Sequence, residues 1–129
     1  MYECKYPHLF SPIVLANTYF KNRIFASPQG SSHSTYGNQP TDQTIAFYER
    51  KAMGGAASVC VGDAVVDSKY GLGNGPHIHM DDMSNMVHLN RLARDVNKHG
   101  AVSSIELNHC GSSARVSFDM GNTIYGAVA

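Results

Sequence analysis

The sequence has 129 residues, with 10 Lys or Arg against 10 Asp or Glu, so its formal net charge is zero when histidine is neutral. A domain averages roughly 150 residues, so this length corresponds to one domain or to part of one. Balanced, interspersed charges argue against binding to nucleic acid or to an anionic membrane. No apolar run approaches the roughly 18 residues of a membrane span, and the first residues lack the apolar core of a signal peptide. We therefore expect a cytoplasmic protein.

The cysteines Cys4, Cys60 and Cys110 are odd in number and far apart in the chain. This pattern argues against a disulfide framework and against a self-contained Cys-x-x-Cys metal or cluster site. Unpaired cysteines agree with a reducing compartment, which supports the cytoplasmic expectation.

The first unit of the chain has hairpin character. Residues 9–20 predict two short strands that turn at Ala16-Asn17, followed by the polar run Lys21-Asn22-Arg23. The apolar run Ile24-Phe25-Ala26 then predicts a short buried strand that ends in a turn at Ser27-Pro28-Gln29-Gly30.

The second unit predicts a helix and a strand. The helix begins at Thr41, a good N-cap residue, and stops at Gly54-Gly55. Residues 57–61 are small and apolar on both faces, as in buried parallel sheets, and this strand is expected to end at Gly62-Asp63. One face of the helix carries Ile45, Tyr48 and Ala52.

The third unit repeats this order after a glycine-rich loop at residues 70–76. Asp81 or Asp82 is expected to cap a helix that ends at Gly100, and residues 101–107 predict a third strand. The apolar stripe of this helix is Met86, Leu89, Leu92, Ala93 and Val96. We interpret Met80, Met83 and Met86, spaced three apart, as core residues.

An alternation of strands and helices predicts an α/β fold with a parallel sheet. Ligands of such folds bind at the carboxyl ends of the strands. Here those ends are residues 27–30, 62–63 and 106–111, and each is polar and contains glycine. Glycine allows backbone to approach a planar or anionic ligand closely.

Four motifs occur in one order and with natural spacing: Leu9-Phe10-Ser11-Pro12, Lys21-Asn22-Arg23-Ile24 with Ser27-Pro28, Phe47-Tyr48-Glu49-Arg50-Lys51-Ala52 with Gly55, and Glu106-Leu107-Asn108-His109-Cys110-Gly111. Together they resemble the old yellow enzyme family of FMN-dependent oxidoreductases. The run Pro28-Gln29-Gly30-Ser31-Ser32-His33 most resembles its large iron–sulfur branch, which includes 2,4-dienoyl-CoA reductase, trimethylamine dehydrogenase and bile-acid-inducible flavoenzymes.

The resemblance implies a TIM (β/α)8 barrel, which needs eight strands and typically about 250 residues. Residues 1–129 would then be a single partial domain, the N-terminal portion of the barrel, with about three βα units preceded by a β-hairpin and the remainder absent. The implied enzyme passes hydride from NAD(P)H through FMN to an activated C=C bond or a related small substrate. The isolated chain is expected to be inactive. A 4Fe-4S cluster and FAD in the full-length protein, and a homo-oligomer, are left open.

The resemblance also implies where FMN binds. Glu106 stands in place of the family's Gln, and an ionised Glu can only accept a hydrogen bond, for example from the flavin N3-H. Its negative charge would disfavour an anionic reduced flavin. His109 orients Glu106, approaches the cofactor or is structural, and no catalytic residue is assigned. The implied cofactor-binding residues are Ser27, Pro28, Gln29, Gly30, Gly62, Asp63, Glu106 and His109.

Two other hypotheses remain open. In the first, the chain is a truncated, noncatalytic remnant that binds no cofactor. In the second, which is less well supported, it is part of a metal-dependent barrel hydrolase. The second hypothesis rests on His77-Ile78-His79, but no third ligand has a fixed spacing, so we predict no metal site. Cys110 follows His109 directly, and adjacent residues of an extended segment point to opposite faces, so these two side chains are not expected to form a nucleophilic pair.

Overall fold

The computed structural model describes residues 4–31 and 38–126, so Ser32 and His33 of the branch motif and residues 127–129 lie outside the described residues. The chain opens with a hairpin of two antiparallel strands, and a unit of alternating strands and helices follows. The elements are β1 (Ile13–Leu15), β2 (Thr18–Phe20), β3 (Phe25–Gln29), α1 (Asp42–Met53), β4 (Ser58–Val65), β5 (Ile78–His79), α2 (Asn85–Asn97), β6 (Val102–Asn108), a 3-10 turn (Gly111–Ser113) and α3 (Arg115–Asp119).

The sheet is parallel and has β4 at its centre. β6 pairs along one edge of β4 from Ser58 to Val65. β3 pairs with the first half of the other edge, and the short β5 continues that edge at Ala64 and Val65. The predicted order of strand, helix, strand, helix, strand and the predicted parallel sheet are therefore confirmed.

The helices α1 and α2 cover one face of the sheet and form the core with it. Thr41 caps α1 as predicted, because its side chain accepts a hydrogen bond from the Thr44 backbone N–H. The predicted face of this helix is buried as well. The largest apolar side chains that are fully buried are Tyr48, Leu92, Val59, Val65 and Val96.

The opposite face of the sheet is exposed among the described residues. Phe25 is 45% exposed, and the side chains of Ser27, Ser104 and Glu106 are also open to solvent. The prediction of a buried strand at 24–26 is therefore wrong for β3, because only one face of this strand is covered by helices. In a barrel, this uncovered face is the one that looks inward.

Both predicted strand ends are wrong, and irregular strand pairing explains each one. β3 runs on through Pro28 and Gln29, and its register against β4 shifts between Ala26 and Gln29. β4 likewise continues past Gly62 and Asp63 to Val65, with a register shift between Val61 and Ala64. Asp63 has a φ of 54°, a left-handed conformation that is uncommon outside glycine. Turn-type residues here mark bulges within strands.

The start of α2 also differs from the sequence expectation. Ser84 is the N-cap residue; Asp82 accepts from the Ser84 N–H, whereas Asp81 accepts from the backbone and hydroxyl of Ser68. Met83 and Met86 are 74% and 42% exposed, so the prediction that they are core residues is wrong. The buried residues of this helix are Asn85, Leu92 and Val96, and Met86 lies about 100° around the helix from Asn85.

The motif after the hairpin fastens that hairpin to the amino-terminal edge of the sheet. Asn22 is buried; its Nδ2 donates to the Gly55 carbonyl at 2.8 Å, and its Oδ1 accepts from the Ile24 N–H. Lys21 Nζ donates to the His99 carbonyl at 2.7 Å. These contacts lie at the end of the sheet opposite the carboxyl ends of the strands. Over residues 4–31 and 38–126, no helix combines the length and the apolar character needed to cross a bilayer.

Candidate functional site

The carboxyl ends of β3, β4 and β6 meet at one edge of the sheet. Asn108, the last residue of β6, donates from Nδ2 to Asp63 Oδ1 at 3.3 Å. A Cβ built on Gly30, directly after β3, would lie 2.5 Å from Asp63 Oδ2. Gly30, Asp63 and Asn108 therefore form one continuous polar edge, as the positions of the three strand ends predict.

A buried tyrosine holds β3 and β4 together below this edge. The Tyr48 hydroxyl donates to the Gln29 carbonyl at 2.7 Å and accepts from the Gly62 N–H at 3.3 Å. Burial raises the pKa of Tyr48, so the hydroxyl stays protonated and keeps its donor role at neutral pH. A Cβ on Gly62 would overlap the Gln29 backbone. Only glycine fits at that position.

A small cavity opens above the bulge of β4. Its volume is about 140 Å³, and its lining is Gly30, Ser31, Asp63 and Pro76. A larger hollow of about 570 Å³ lies along α1, against Gln43, Phe47 and Lys51. None of the residues at the strand ends lines the larger hollow. The smaller cavity is lined by Gly30 and Asp63 from two strand ends, so it is the better candidate for a binding site.

The remaining predicted residues lie at different depths on this edge. Glu106 is exposed and, two residues before Asn108 on the same strand, points to the same face of the sheet. Ser27 and Pro28 are exposed on β3. His109 accepts at Nδ1 from the Gly111 N–H at 3.0 Å. Its ring lies against the loop after β4, since Gly71 has His109 Cδ2 2.8 Å from its ideal Cβ position. The structure therefore groups His109 with that loop.

The sequence did not indicate that His77 is buried in this region. This side chain is 3% exposed, and neither ring nitrogen has a hydrogen-bond partner among the described residues. A buried polar group without a partner costs about 1–3 kcal/mol. The sequence did signal the residue, as half of the His-x-His pair, but nothing in the pattern shows that it is buried.

The nearby His79 has a hydrogen-bond partner within the fold. Asn38 Nδ2 lies 2.7 Å from His79 Nε2, and burial lowers the pKa of this imidazole, which favours its neutral, accepting form. Within the described ranges, no three His, Cys, Asp or Glu side chains cluster in a way that would hold a metal ion.

The chain is similar to known proteins along nearly its whole length. The sequence model of the NADH:flavin oxidoreductase / NADH oxidase family matches residues 8–128. The chain belongs to this family. Its fold is accordingly the N-terminal part of the family's TIM barrel, with β3, β4 and β6 as consecutive barrel strands.

Two curated members of the family align over most of this chain. The N,N-dimethylglycine/sarcosine dehydrogenase of Chromohalobacter salexigens is 32% identical over 110 residues, which are 83% of this chain and 16% of that protein. The metal reductase of Desulforamulus reducens is 33% identical over 109 residues, 82% of this chain and 15% of that protein. The chain therefore spans about a sixth of the length of these two family members.

Solved structures of the family show the same fold. The 6-hydroxypseudooxynicotine amine oxidase of Pseudomonas geniculata N1 superposes with a TM-score of 0.78 at 25% identity, over 92% of this chain and 17% of that one. The old yellow enzyme of Trypanosoma cruzi superposes with a TM-score of 0.76 at 21% identity, over 85% of this chain and 29% of that one.

The residues of the strand-end edge fit the flavin of this family. A Cβ on Gly30 would meet the Asp63 carboxylate and one on Gly62 would meet the Gln29 backbone, so glycine lets β3 and β4 pack closely at their carboxyl ends. Glu106 and Asp63 supply acceptor oxygens, and Asn108 supplies both a donor and an acceptor. These groups suit the N–H and C=O pattern of a flavin pyrimidine.

Proposed function

We propose that this strand-end edge holds the FMN of an NAD(P)H-linked oxidoreductase that acts on an electron-poor C=C bond or a related small substrate. The observation that carries the proposal is the meeting of three strand ends: Asn108 Nδ2 donates to Asp63 Oδ1 at 3.3 Å, and the Asp63 carboxylate lies against Gly30. Three strand ends thus bring polar side chains together at the edge where α/β barrels bind ligands.

Each strand contributes a different contact in this proposal. The backbone of Gln29 and Gly30 would hold the ring, and Glu106 would accept a hydrogen bond from a ring N–H. Asp63 orients the Asn108 amide through the 3.3 Å hydrogen bond between them. When bound, FMN supplies hydride transfer between a nicotinamide and the substrate. The residues of this chain position the ring and set the charge beside it.

The substrate class, the nicotinamide donor and any further cofactor belong to the proposal. The names of the two curated relatives, an N,N-dimethylglycine/sarcosine dehydrogenase and a metal reductase, indicate different substrates for those proteins. Neither name specifies a C=C bond. The resemblance to the iron–sulfur branch is the reason for including a 4Fe-4S cluster and FAD in the proposal. No residue of this chain is assigned as a ligand of either group.

Flavin binding is tested by expressing the reading frame that contains this segment and titrating the apoprotein with FMN, with quenching of FMN fluorescence as the readout. Gly30→Ala should weaken binding at least tenfold, because the new Cβ displaces the Asp63 carboxylate. Gly54→Ala is the matched control, since Gly54 has a helical φ of −69° at the end of α1, away from the strand ends.

Equal FMN affinities for wild type and Gly30→Ala would place the flavin elsewhere. A wild-type protein that binds no FMN would favour the noncatalytic alternative. Bleaching of the bound flavin by NADH or NADPH then identifies the reductant, and failure of both would contradict the NAD(P)H assignment.

A further inference from the structure

We propose that the flank of α1 opposite α2 is the docking surface for an acidic helix, the one that follows the last strand of the completed barrel. This basic flank consists of Gln43, Phe47, Arg50 and Lys51. The proposal does not depend on FMN binding. It rests on the distribution of charge around α1 and on the position of the basic flank beside the free edge of β3.

The other flank of α1 is acidic and already has a partner. Asp42 and Glu49 are seven residues apart, so they lie on the same side of the helix. Asp42 Oδ1 lies 2.6 Å from Arg91 Nη1, and Glu49 Oε1 lies 2.7 Å from Lys98 Nζ. Arg91 is on α2, and Lys98 is the C-cap residue of that helix. Thus α2 docks on this flank with charges of the opposite sign.

The basic flank combines two cations with a hollow. Gln43, Phe47 and Arg50 are spaced four and three residues apart, so they lie on one side of α1. Together with Ala46 and Lys51 they line the hollow of about 570 Å³. Lys51 Nζ lies 4.3 Å from the centre of the Phe47 ring. The hollow therefore offers an aromatic surface and two positive charges to another structural element.

Neither cation of the basic flank has an acidic partner within residues 4–31 and 38–126. Arg50 is exposed and forms no salt bridge there, and Lys51 Nζ donates to the neutral Gln29 Oε1 at 3.2 Å. Burial lowers the pKa of Lys51, because the ammonium loses water and gains no carboxylate. A carboxylate on the docking element would compensate this loss. The charge of the flank therefore favours an acidic partner.

The position of the basic flank identifies this partner. Gln29 is the last residue of β3, so its contact with Lys51 places the flank on the β3 side of α1. Among the described strands, β3 pairs only with β4, and its other edge is free. When a (β/α)8 barrel closes, the last strand pairs with the first, and the last helix packs beside the first helix. That helix is expected to carry Asp or Glu opposite Arg50 and Lys51, with apolar residues against Phe47.

The test is a zero-length cross-link in the protein expressed from the reading frame that contains this segment. A carbodiimide joins an amine to a carboxylate where the two are in contact, and mass spectrometry identifies the joined residues. We expect Lys51 to be joined to an Asp or Glu of the last barrel helix. Lys98, 2.7 Å from Glu49, is the positive control in the same molecule. Lys69, which forms no salt bridge in the described part of the chain, is the negative control.

The other outcomes of the cross-linking overturn the proposal. A Lys98–Glu49 product without any Lys51 product would show that no carboxylate docks on the basic flank. A Lys51 product within residues 1–129, or with a second copy of the chain, would give the flank a different occupant. A reading frame that encodes no such helix would remove the proposed partner.

A charge reversal tests whether the flank selects its partner by charge. Arg50→Glu should lower the yield of the Lys51 cross-link about fivefold, because like charges repel the docking helix, and should leave the Lys98–Glu49 product unchanged. Arg94→Glu is the matched control, since this side chain is 72% exposed on α2, and it should leave the Lys51 yield unchanged. Equal Lys51 yields in Arg50→Glu and wild type would contradict the proposal.

Discussion

The hydroxyl of Tyr48 donates to the Gln29 carbonyl at 2.7 Å, so a helix side chain fixes the end of the first barrel strand. The same oxygen accepts from the Gly62 N–H on the next strand. One hydroxyl thus bridges backbone groups of both strands where their register shifts, at the level of the proposed flavin contacts. The shape of the binding edge therefore depends on the packing of α1 beneath it.

Tyr48→Phe should lower the free energy of unfolding by about 1–3 kcal/mol, because the Gln29 carbonyl and the Gly62 N–H lose a buried partner. Urea denaturation measures this change. Tyr19→Phe is the control, since Tyr19 is 63% exposed on the hairpin. Equal losses in the two variants would show that the bridging hydroxyl has no special weight.

Asn22→Ala should lower the free energy of unfolding by about 1–3 kcal/mol, because the variant leaves the Gly55 carbonyl and the Ile24 N–H without their side-chain partner. Asn90→Ala, on the exposed side of α2, provides the control and should change stability by less than about 0.5 kcal/mol. A neutral Asn22→Ala variant would mean that the hairpin is not fastened to the sheet through this side chain.

The stability of the fold should fall as the pH decreases through about 6.5, the ordinary pKa of histidine. Burial lowers the pKa of His79 in the folded chain, so the unfolded chain takes up the proton first and acidification favours unfolding. The contribution of His79 is therefore fully present above this pH and is lost below it. His79→Gln should flatten this slope in urea denaturation between pH 5.5 and 7.5. His88→Gln serves as the control, and identical slopes in all three proteins would contradict the assignment.

Glu106→Gln should raise the reduction potential of bound FMN, because it removes a negative charge that opposes a negatively charged reduced ring. A difference of about 30 mV corresponds to about 1.4 kcal/mol for a two-electron couple. A spectroelectrochemical titration of the holoprotein measures the potential. If FMN affinity and potential are both unchanged in Glu106→Gln, the proposed contact between Glu106 and the flavin is wrong.

The sequence predicts the order of elements and the family well, since both depend on local patterns. Thr41 precedes an amphipathic helix, and the motif residues of the flavin oxidoreductases stand in order along the chain. The bulges were not predictable in the same way. Gly62 and Asp63 resemble a turn locally, yet pairing of β4 with β6 carries the strand through them. Nonlocal hydrogen bonds override the local signal here.

The loop between β4 and β5 shows the same limit for the site. His77 lies in this loop, and no periodicity indicates that its side chain is buried. Burial of a histidine depends on what folds over it, and the His-x-His pattern does not show that. In the structure, the two histidines of that pattern have different surroundings: His79 is hydrogen-bonded to Asn38, whereas neither ring nitrogen of His77 has a partner among the described residues.

The central claim, that the ends of β3, β4 and β6 hold FMN, is tested most directly by hydrogen–deuterium exchange of the protein with and without FMN. We predict slower exchange in the FMN-bound protein at residues 29–31, 62–64 and 106–111, with no change in the middle of α1 and α2. Protection that is absent from all three strand ends, while FMN is bound, would contradict the claim.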